Sequence, residues 1–241
     1  MDKALEEPVT LTEPHKLLVI LDLNGTLFYR TRGNNRSITP RPYLSEFLDF
    51  LFKNCRVMVW SSAQPQSVEA MLGHGFGDYV DRLDRIWNRT HFRLTPEDYS
   101  KKVLTIKDLE FVWEGIEKEK KAAENATAKH EKFLVEFDQT NTVLIDDSKD
   151  KIQLQPYNGL TLRDFDVDLA RSGTDNELPK VVRYLEKLTY QKNVSAYMRL
   201  HPFDTNDEVN TDIPKGTKEV ETADLADVID DLAHRLEKNT L

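Results

Sequence analysis

Three apolar runs punctuate an otherwise polar chain. They read LLVIL (17–21), RVMVW (56–60) and NTVLIDD (141–147), and their carboxyl ends meet the polar residues Asp22, Ser61 and Asp146. Short continuous apolar runs with β-branched members predict strands buried on both faces. Between them the period lengthens. Leu44, Phe47, Leu48 and Leu51 recur at i, i+3, i+4 and i+7, which predicts an amphipathic helix with Pro42 in its first turn. A short helix is expected from about Pro65 to Leu72, with GHGFG (73–77) as a cap and turn, not a nucleotide loop. Residues 81–101 are mixed and predict irregular structure or small strands. A further helix is expected from near Lys107 into EGIEKEKKAAENATAKHEK (114–132), which is polar nearly all round and reads as a solvated helical insert over about 114–135. Leu178, Val181, Val182, Leu185 and Leu188 mark another core-facing helix.

Strands alternating with helices imply βαβ units. The expected fold class is α/β: a three-layer, Rossmann-like parallel sheet flanked by helices. The chain of 241 residues suits one such domain with appendages. Residues 1–15 are expected to be an N-terminal extension and 16–200 the domain. Residues 201–220 are rich in Asp, Thr and Pro and read as a linker. Leu225, Val228, Ile229, Leu232 and Leu236 then mark a C-terminal amphipathic helix.

A net charge of −9 argues against direct nucleic-acid binding, which needs clustered Lys and Arg. No apolar stretch approaches the roughly 20 residues of a membrane span, and residues 1–16 carry no apolar leader segment. Cys55 is the only cysteine, so no intramolecular disulfide can form. That fits a reducing intracellular compartment, nucleus or cytoplasm, with Cys55 a buried structural thiol. The oligomeric state is not legible.

In parallel sheets the reactive edge lies beyond the carboxyl ends of the strands. A lone aspartate there would be a turn cap, but Asp22 has company. Thr26 and Ser61 offer hydroxyls to phosphate oxygens and Lys107 a positive charge. Asp146 and Asp147 offer oxygen ligands that suit Mg²⁺. A carboxylate such as Asp22 can attack phosphorus and form an aspartyl-phosphate, with catalysis otherwise a matter of positioning and charge neutralisation.

The order of these features resembles the haloacid dehalogenase (HAD) superfamily: Asp22 with Thr26, Ser61 after RVMVW, KDL (107–109) and IDDS (145–148). KDL, IDDS and QLQPYNGLTLRDF (153–165) are similar to its branch of RNA polymerase II C-terminal-domain phosphatases and nuclear-LIM-interactor-type relatives. The resemblance covers about residues 15–200. It implies that Asp22 is the nucleophile and a Mg²⁺ ligand, and that residue 24 lends the metal its backbone carbonyl. It implies that Thr26 and Ser61 bind phosphate, that Lys107 steadies nucleophile and phosphoryl group, and that Asp146 ligates the metal with Asp147 beside it. Only a small insert fits between Ser61 and Lys107, so no large cap domain is expected. An open site suits phosphoserine or phosphothreonine on a protein or peptide.

One position departs from the family pattern. The family carries a second aspartate two residues after the first, as general acid and then base, and here that position holds Asn24. An amide cannot exchange a proton near neutral pH. Several readings stay open: a slow phosphatase, a pseudo-phosphatase that serves as a phosphoprotein-binding scaffold, or an Asp-to-Asn trapped variant. Asn24-Gly25 is also a pair prone to deamidation, which would place an aspartate there in part of an aged sample.

Overall fold

The computed structural model describes residues 2–31, 37–125 and 136–205. In chain order these residues form β1 (Leu18–Leu21), β2 (Phe28–Arg30), β3 (Ile38–Pro40), α1 (Leu44–Asn54), β4 (Arg56–Trp60), α2 (Pro65–Gly75) and β5 (Arg85–Trp87). Then follow α3 (Pro96–Tyr99), α4 (Leu109–Asn125), β6 (Thr142–Asp146), β7 (Gly159–Thr161), α5 (Val167–Ser172), α6 (Glu177–Thr189) and α7 (Val194–Leu200).

Five strands make one sheet in the order β5-β4-β1-β6-β7, and every pairing in it is parallel. Side chains alternate between two cores, as the period of two requires. Leu17, Val19, Leu21, Val57, Val59, Val143 and Ile145 face one core, closed by α1, α2 and α6. Leu18, Ile20, Met58, Trp60 and Leu144 face the other, closed by Leu109 and Val112 of α4. All four residues of β1 are fully buried. Each apolar side chain so placed stabilises by about 1.5–3 kcal/mol relative to exposure. The three-layer α/β expectation describes this sheet.

Several boundaries move. The first amphipathic helix begins at Leu44, not Pro42, because Tyr43 before it has φ 64°, in the left-handed region that no α-helical residue adopts. Helix α2 runs on to Gly75, with Phe76 as its cap. A Cβ at Gly75 would lie 2.6 Å from the Phe28 ring, so the helix end and the first ribbon strand approach as only glycine permits. The polar stretch before α1 contains an antiparallel ribbon of β2 and β3, with Phe28 opposite Pro40. Residues 81–101 hold the short strand β5, a 3-10 turn (Arg89–His91) and α3. The charged helix starts at Leu109. Lys107 lies just before it, its backbone N–H donating to the Lys151 carbonyl at 2.8 Å. Glu114–Lys118 and Glu117–Lys121 pairs lace its solvent face. The rest of the expected insert, 126–135, lies outside the described residues.

The residues before β1 are tied to the end of α6. Leu11 N–H donates to Tyr190 O, His15 N–H to Thr189 O, and Lys192 N–H to Val9 O. The expected C-terminal amphipathic helix and most of its linker, from residue 206 on, lie outside the described residues. No described helix is long and apolar enough to cross a membrane.

Candidate active site

The strand order places the site. β1 lies between β4 and β6, so Asp22 emerges from the centre of the sheet with Ser61 on one side and Asp146 on the other. Asp22 N–H continues the ladder by donating to Ile145 O, and Ser61 N–H donates to Trp87 O. The chain then reverses. Thr26, Leu27 and Phe28 all donate their backbone N–H to Leu23 O, and Gly25 at φ 89° makes the bend. This turn carries Thr26 back beneath Asp22, where its hydroxyl lies 3.4 Å from Asp22 Oδ2 and 3.3 Å from Asp147 Oδ1.

Lys107 is the hub. Its side chain is 0% exposed, and Nζ donates to Asp22 Oδ1 at 2.8 Å and to Asp146 Oδ2 at 2.5 Å. A solvated helix start is thereby excluded. Such a buried charge is tolerated only when paired, and here two carboxylates from adjacent strands pair it. Burial pushes Asp22 above the usual carboxylate range against the pull of Lys107, with Asp146 adding repulsion. Asp146 feels the same burial, but Lys107 and Lys151 together hold it below that range. Burial lifts Asp147 to about 6 in spite of Lys151, helped by the charges of Asp22 and Asp146.

Asp22, Asp146 and Asp147 each offer an oxygen within 4.8 Å of the others. Three converging hard oxygen donors fit a divalent cation such as Mg²⁺. Ser61 is buried at the end of β4, where its hydroxyl accepts the Ala63 N–H at 3.3 Å; no hydrogen bond links it to Asp22 among the described residues. Asn24 is exposed, and its backbone forms a bridge with Phe28. The Gly25 N–H that would have to attack the Asn24 amide for deamidation instead donates to Phe28 O at 2.8 Å. That nitrogen is thus engaged in the turn.

A family model described as NLI interacting factor-like phosphatase matches residues 17–195, most of the chain and all of this site. The chain belongs to that family. A Schizosaccharomyces pombe protein described as an uncharacterized FCP1 homology domain-containing protein is 37% identical over 203 residues, covering 78% of each chain. A ubiquitin-like domain-containing CTD phosphatase of Arabidopsis thaliana is 26% identical over 189 residues, which are 75% of this chain and 49% of that one. A Drosophila melanogaster protein described as ubiquitin-like domain-containing CTD phosphatase 1 is 26% identical over 185 residues, which are 73% of this chain and 50% of that one. The chain thus spans about half the length of these CTD phosphatases. The solved structure of Fcp1, an essential RNA polymerase II CTD phosphatase, shares 12% identity over 72% of this chain and 62% of its own, with a TM-score of 0.46.

Within this phosphatase family frame, three residues at the site escaped sequence reasoning. Lys151 sits 2.9 Å from Asp146 Oδ1 and 3.2 Å from Asp147 Oδ1. Its only signal was a lysine four residues after Asp147, in a turn whose geometry no periodicity predicts. Asp164 and Asp147 flank Gly25, with oxygens 2.8 and 2.9 Å from where a Cβ would stand. Arg41, fully buried, donates to Thr26 O at 2.9 Å and to Asp175 and Glu177, so it fixes the back of the turn after Asp22.

Proposed function

We propose that this chain is a Mg²⁺-dependent phosphoprotein phosphatase that works through an aspartyl-phosphate on Asp22, slowed by Asn24. The observation that carries the reading is the fully buried Lys107, bridging carboxylates at the ends of neighbouring parallel strands. A structural domain gains little from such an arrangement, because replacing a buried ion network by apolar groups is often neutral or stabilising. A phosphoryl-transfer site needs it.

Asp22 is the nucleophile. One of its carboxylate oxygens attacks phosphorus, the bond from phosphorus to the substrate oxygen breaks, and that oxygen takes a proton from water. Lys107 holds the attacking group in place and, with the Thr26 and Ser61 hydroxyls, faces the equatorial phosphoryl oxygens. Water then attacks phosphorus. The bond to Asp22 breaks, its carboxylate returns, and inorganic phosphate leaves while one proton passes to solvent. Asp22, Asp146, Asp147 and the Asn24 backbone carbonyl are the groups that would hold Mg²⁺, which when bound neutralises charge on the transferring group.

The substrate class follows from openness. Between β1 and β4 the described residues hold only the β2–β3 ribbon and α1, and between β4 and Lys107 only α2, β5, α3 and short turns. Among the described residues, neither interval holds a segment of cap-domain size. A phosphorylated protein or peptide suits this site, in line with the relatives described as CTD phosphatases. A free and buried Cys55 supports a reducing compartment, nucleus or cytoplasm.

A second reading has its own observation. With an amide at position 24, no carboxyl there can protonate the leaving oxygen or activate water, which favours a phosphoprotein-binding scaffold. Hydrolysis of p-nitrophenyl phosphate and of a phosphoserine peptide by the chain, by Asn24→Asp and by Asp22→Ala separates the two. The phosphatase reading expects slow turnover by the chain, a rise in kcat of about 10²–10⁴-fold in Asn24→Asp, and none in Asp22→Ala. Turnover in Asn24→Asp alone would leave binding or trapping as the role of the chain with Asn24. Equal turnover with and without Asp22 would remove it as nucleophile.

A further inference from the structure

The oxygens around the buried hub divide into two sets. Lys107 takes Oδ1 of Asp22 and Oδ2 of Asp146. The other oxygens of the same two carboxylates, with one from Asp147, converge on a second ammonium. Lys151 Nζ lies 2.9 Å from Asp146 Oδ1, 3.2 Å from Asp147 Oδ1 and 3.9 Å from Asp22 Oδ2. These three acids are the ones whose geometry fits a divalent cation. A Mg²⁺ ion held by these three acids would compete with the ammonium for their oxygens, since two cations repel at such close range.

We propose that Lys151 is a tethered occupant of the metal site, a side-chain cation that a divalent ion must displace in order to bind. The inference rests on the reading of Asp22, Asp146 and Asp147 as metal ligands and adds a competitor encoded in the chain. Charge supports it. Three carboxylates against Lys107 alone leave two negative charges, which match a divalent ion. With Lys151 in place only one remains.

The local structure allows displacement without unfolding. Lys151 ends the 3-10 turn Lys149–Lys151 after β6, its N–H donating to Ser148 O and its carbonyl accepting from Lys107 N–H. The backbone is therefore pinned on both sides, and the side chain alone has to move. That side chain is 15% exposed, whereas Lys107 is sealed at 0%. A four-carbon stem with an opening to water can withdraw its charged head into solvent. Lys107 cannot, so the two lysines have different duties: one is permanent and one exchanges with metal. The consequence is a site whose filling is set by free Mg²⁺ at a higher concentration than three carboxylates alone would require.

The test is calorimetric titration of the EDTA-treated full chain with Mg²⁺ alone, beside Lys151→Met and Lys149→Met. Lys149 is an exposed neighbour, and its replacement makes the same change in net charge. Lys151→Met is expected to bind Mg²⁺ about tenfold or more tightly than the chain, and Lys149→Met to match the chain. Without metal, Lys151→Met should melt lower than the chain and gain more in Tm when Mg²⁺ is added. Equal or weaker binding by Lys151→Met, or equal tightening by Lys149→Met, overturns the inference while leaving the metal site standing. No Mg²⁺ binding by any of the three overturns the metal assignment and the inference with it. Lys151→Gln, checked by circular dichroism, replaces Lys151→Met should the latter not fold.

Discussion

Lys107 and Cys55 show how burial alone decides little until partners are counted. Both are buried, but Lys107 faces two carboxylates and Cys55 faces an apolar core. Burial pushes the Cys55 thiol up to about 12. A thiol reacts as its thiolate, and the neutral form dominates below that value, so reactivity rises only as pH climbs towards it. Labelling of native protein with a thiol reagent at pH 8 is expected to be negligible and to become complete on unfolding. Rapid labelling of the native chain would contradict the packing at the end of α1. Asn24 marks the limit of reading at this scale. Its identity and its place in the motif were legible, whereas the hydrogen bond that occupies the neighbouring Gly25 N–H depends on a turn that only the structure shows.

Elements were legible in proportion to their burial. β1, β4 and β6 form the middle of the sheet, covered on both faces, and so spell continuous apolar runs. β5 and β7 are its edges, three residues each, with Arg85 and Thr161 among them, and present no run to detect. The β2–β3 ribbon hid in a polar stretch because its residues are mostly half-buried. What joins these elements is a buried ion cluster. Arg41, between β3 and α1, donates to Asp175 and Glu177 near the start of α6 and to the Thr26 and Arg163 carbonyls. Its side chain is fully buried, so removing it strands two carboxylates. Arg41→Met is expected to destabilise by about 3–5 kcal/mol in urea unfolding, which lowers Tm by roughly 2–4 °C per kcal/mol. A loss below about 1 kcal/mol would show that the cluster relaxes into solvent and does not clamp the turn after Asp22.

At the scale of the molecule, topology makes the site. Asp22, Ser61, Lys107 and Asp146 are scattered over more than half of the sequence; a sheet with β1 between β4 and β6 brings Asp22, Ser61 and Asp146 to one edge, where Lys107 joins them from the segment before α4. The order of motifs along the chain carried that information before any coordinates. The opposed pair of lysines was not legible, because Lys151 depends on how the turn after β6 closes against the segment before α4. The N-terminal residues, which composition marks as an extension, are stitched to the end of α6 and to α7 through Asn193 and Arg199 side chains that reach Glu6, Lys3 O and Ala4 O.

The proposed function turns on a covalent phosphoryl intermediate on Asp22 that Asn24 leaves slow to hydrolyse. p-Nitrophenolate departs with little help from an acid, so the first step should proceed while the second lags. The decisive measurement is therefore to incubate the chain with p-nitrophenyl phosphate and Mg²⁺, quench, reduce any acyl phosphate with borohydride, and sequence by mass spectrometry. Homoserine is expected at position 22, abundant in the chain and scarce in Asn24→Asp, where hydrolysis is restored. Unmodified Asp22 in both, or the label at another carboxylate, would contradict it.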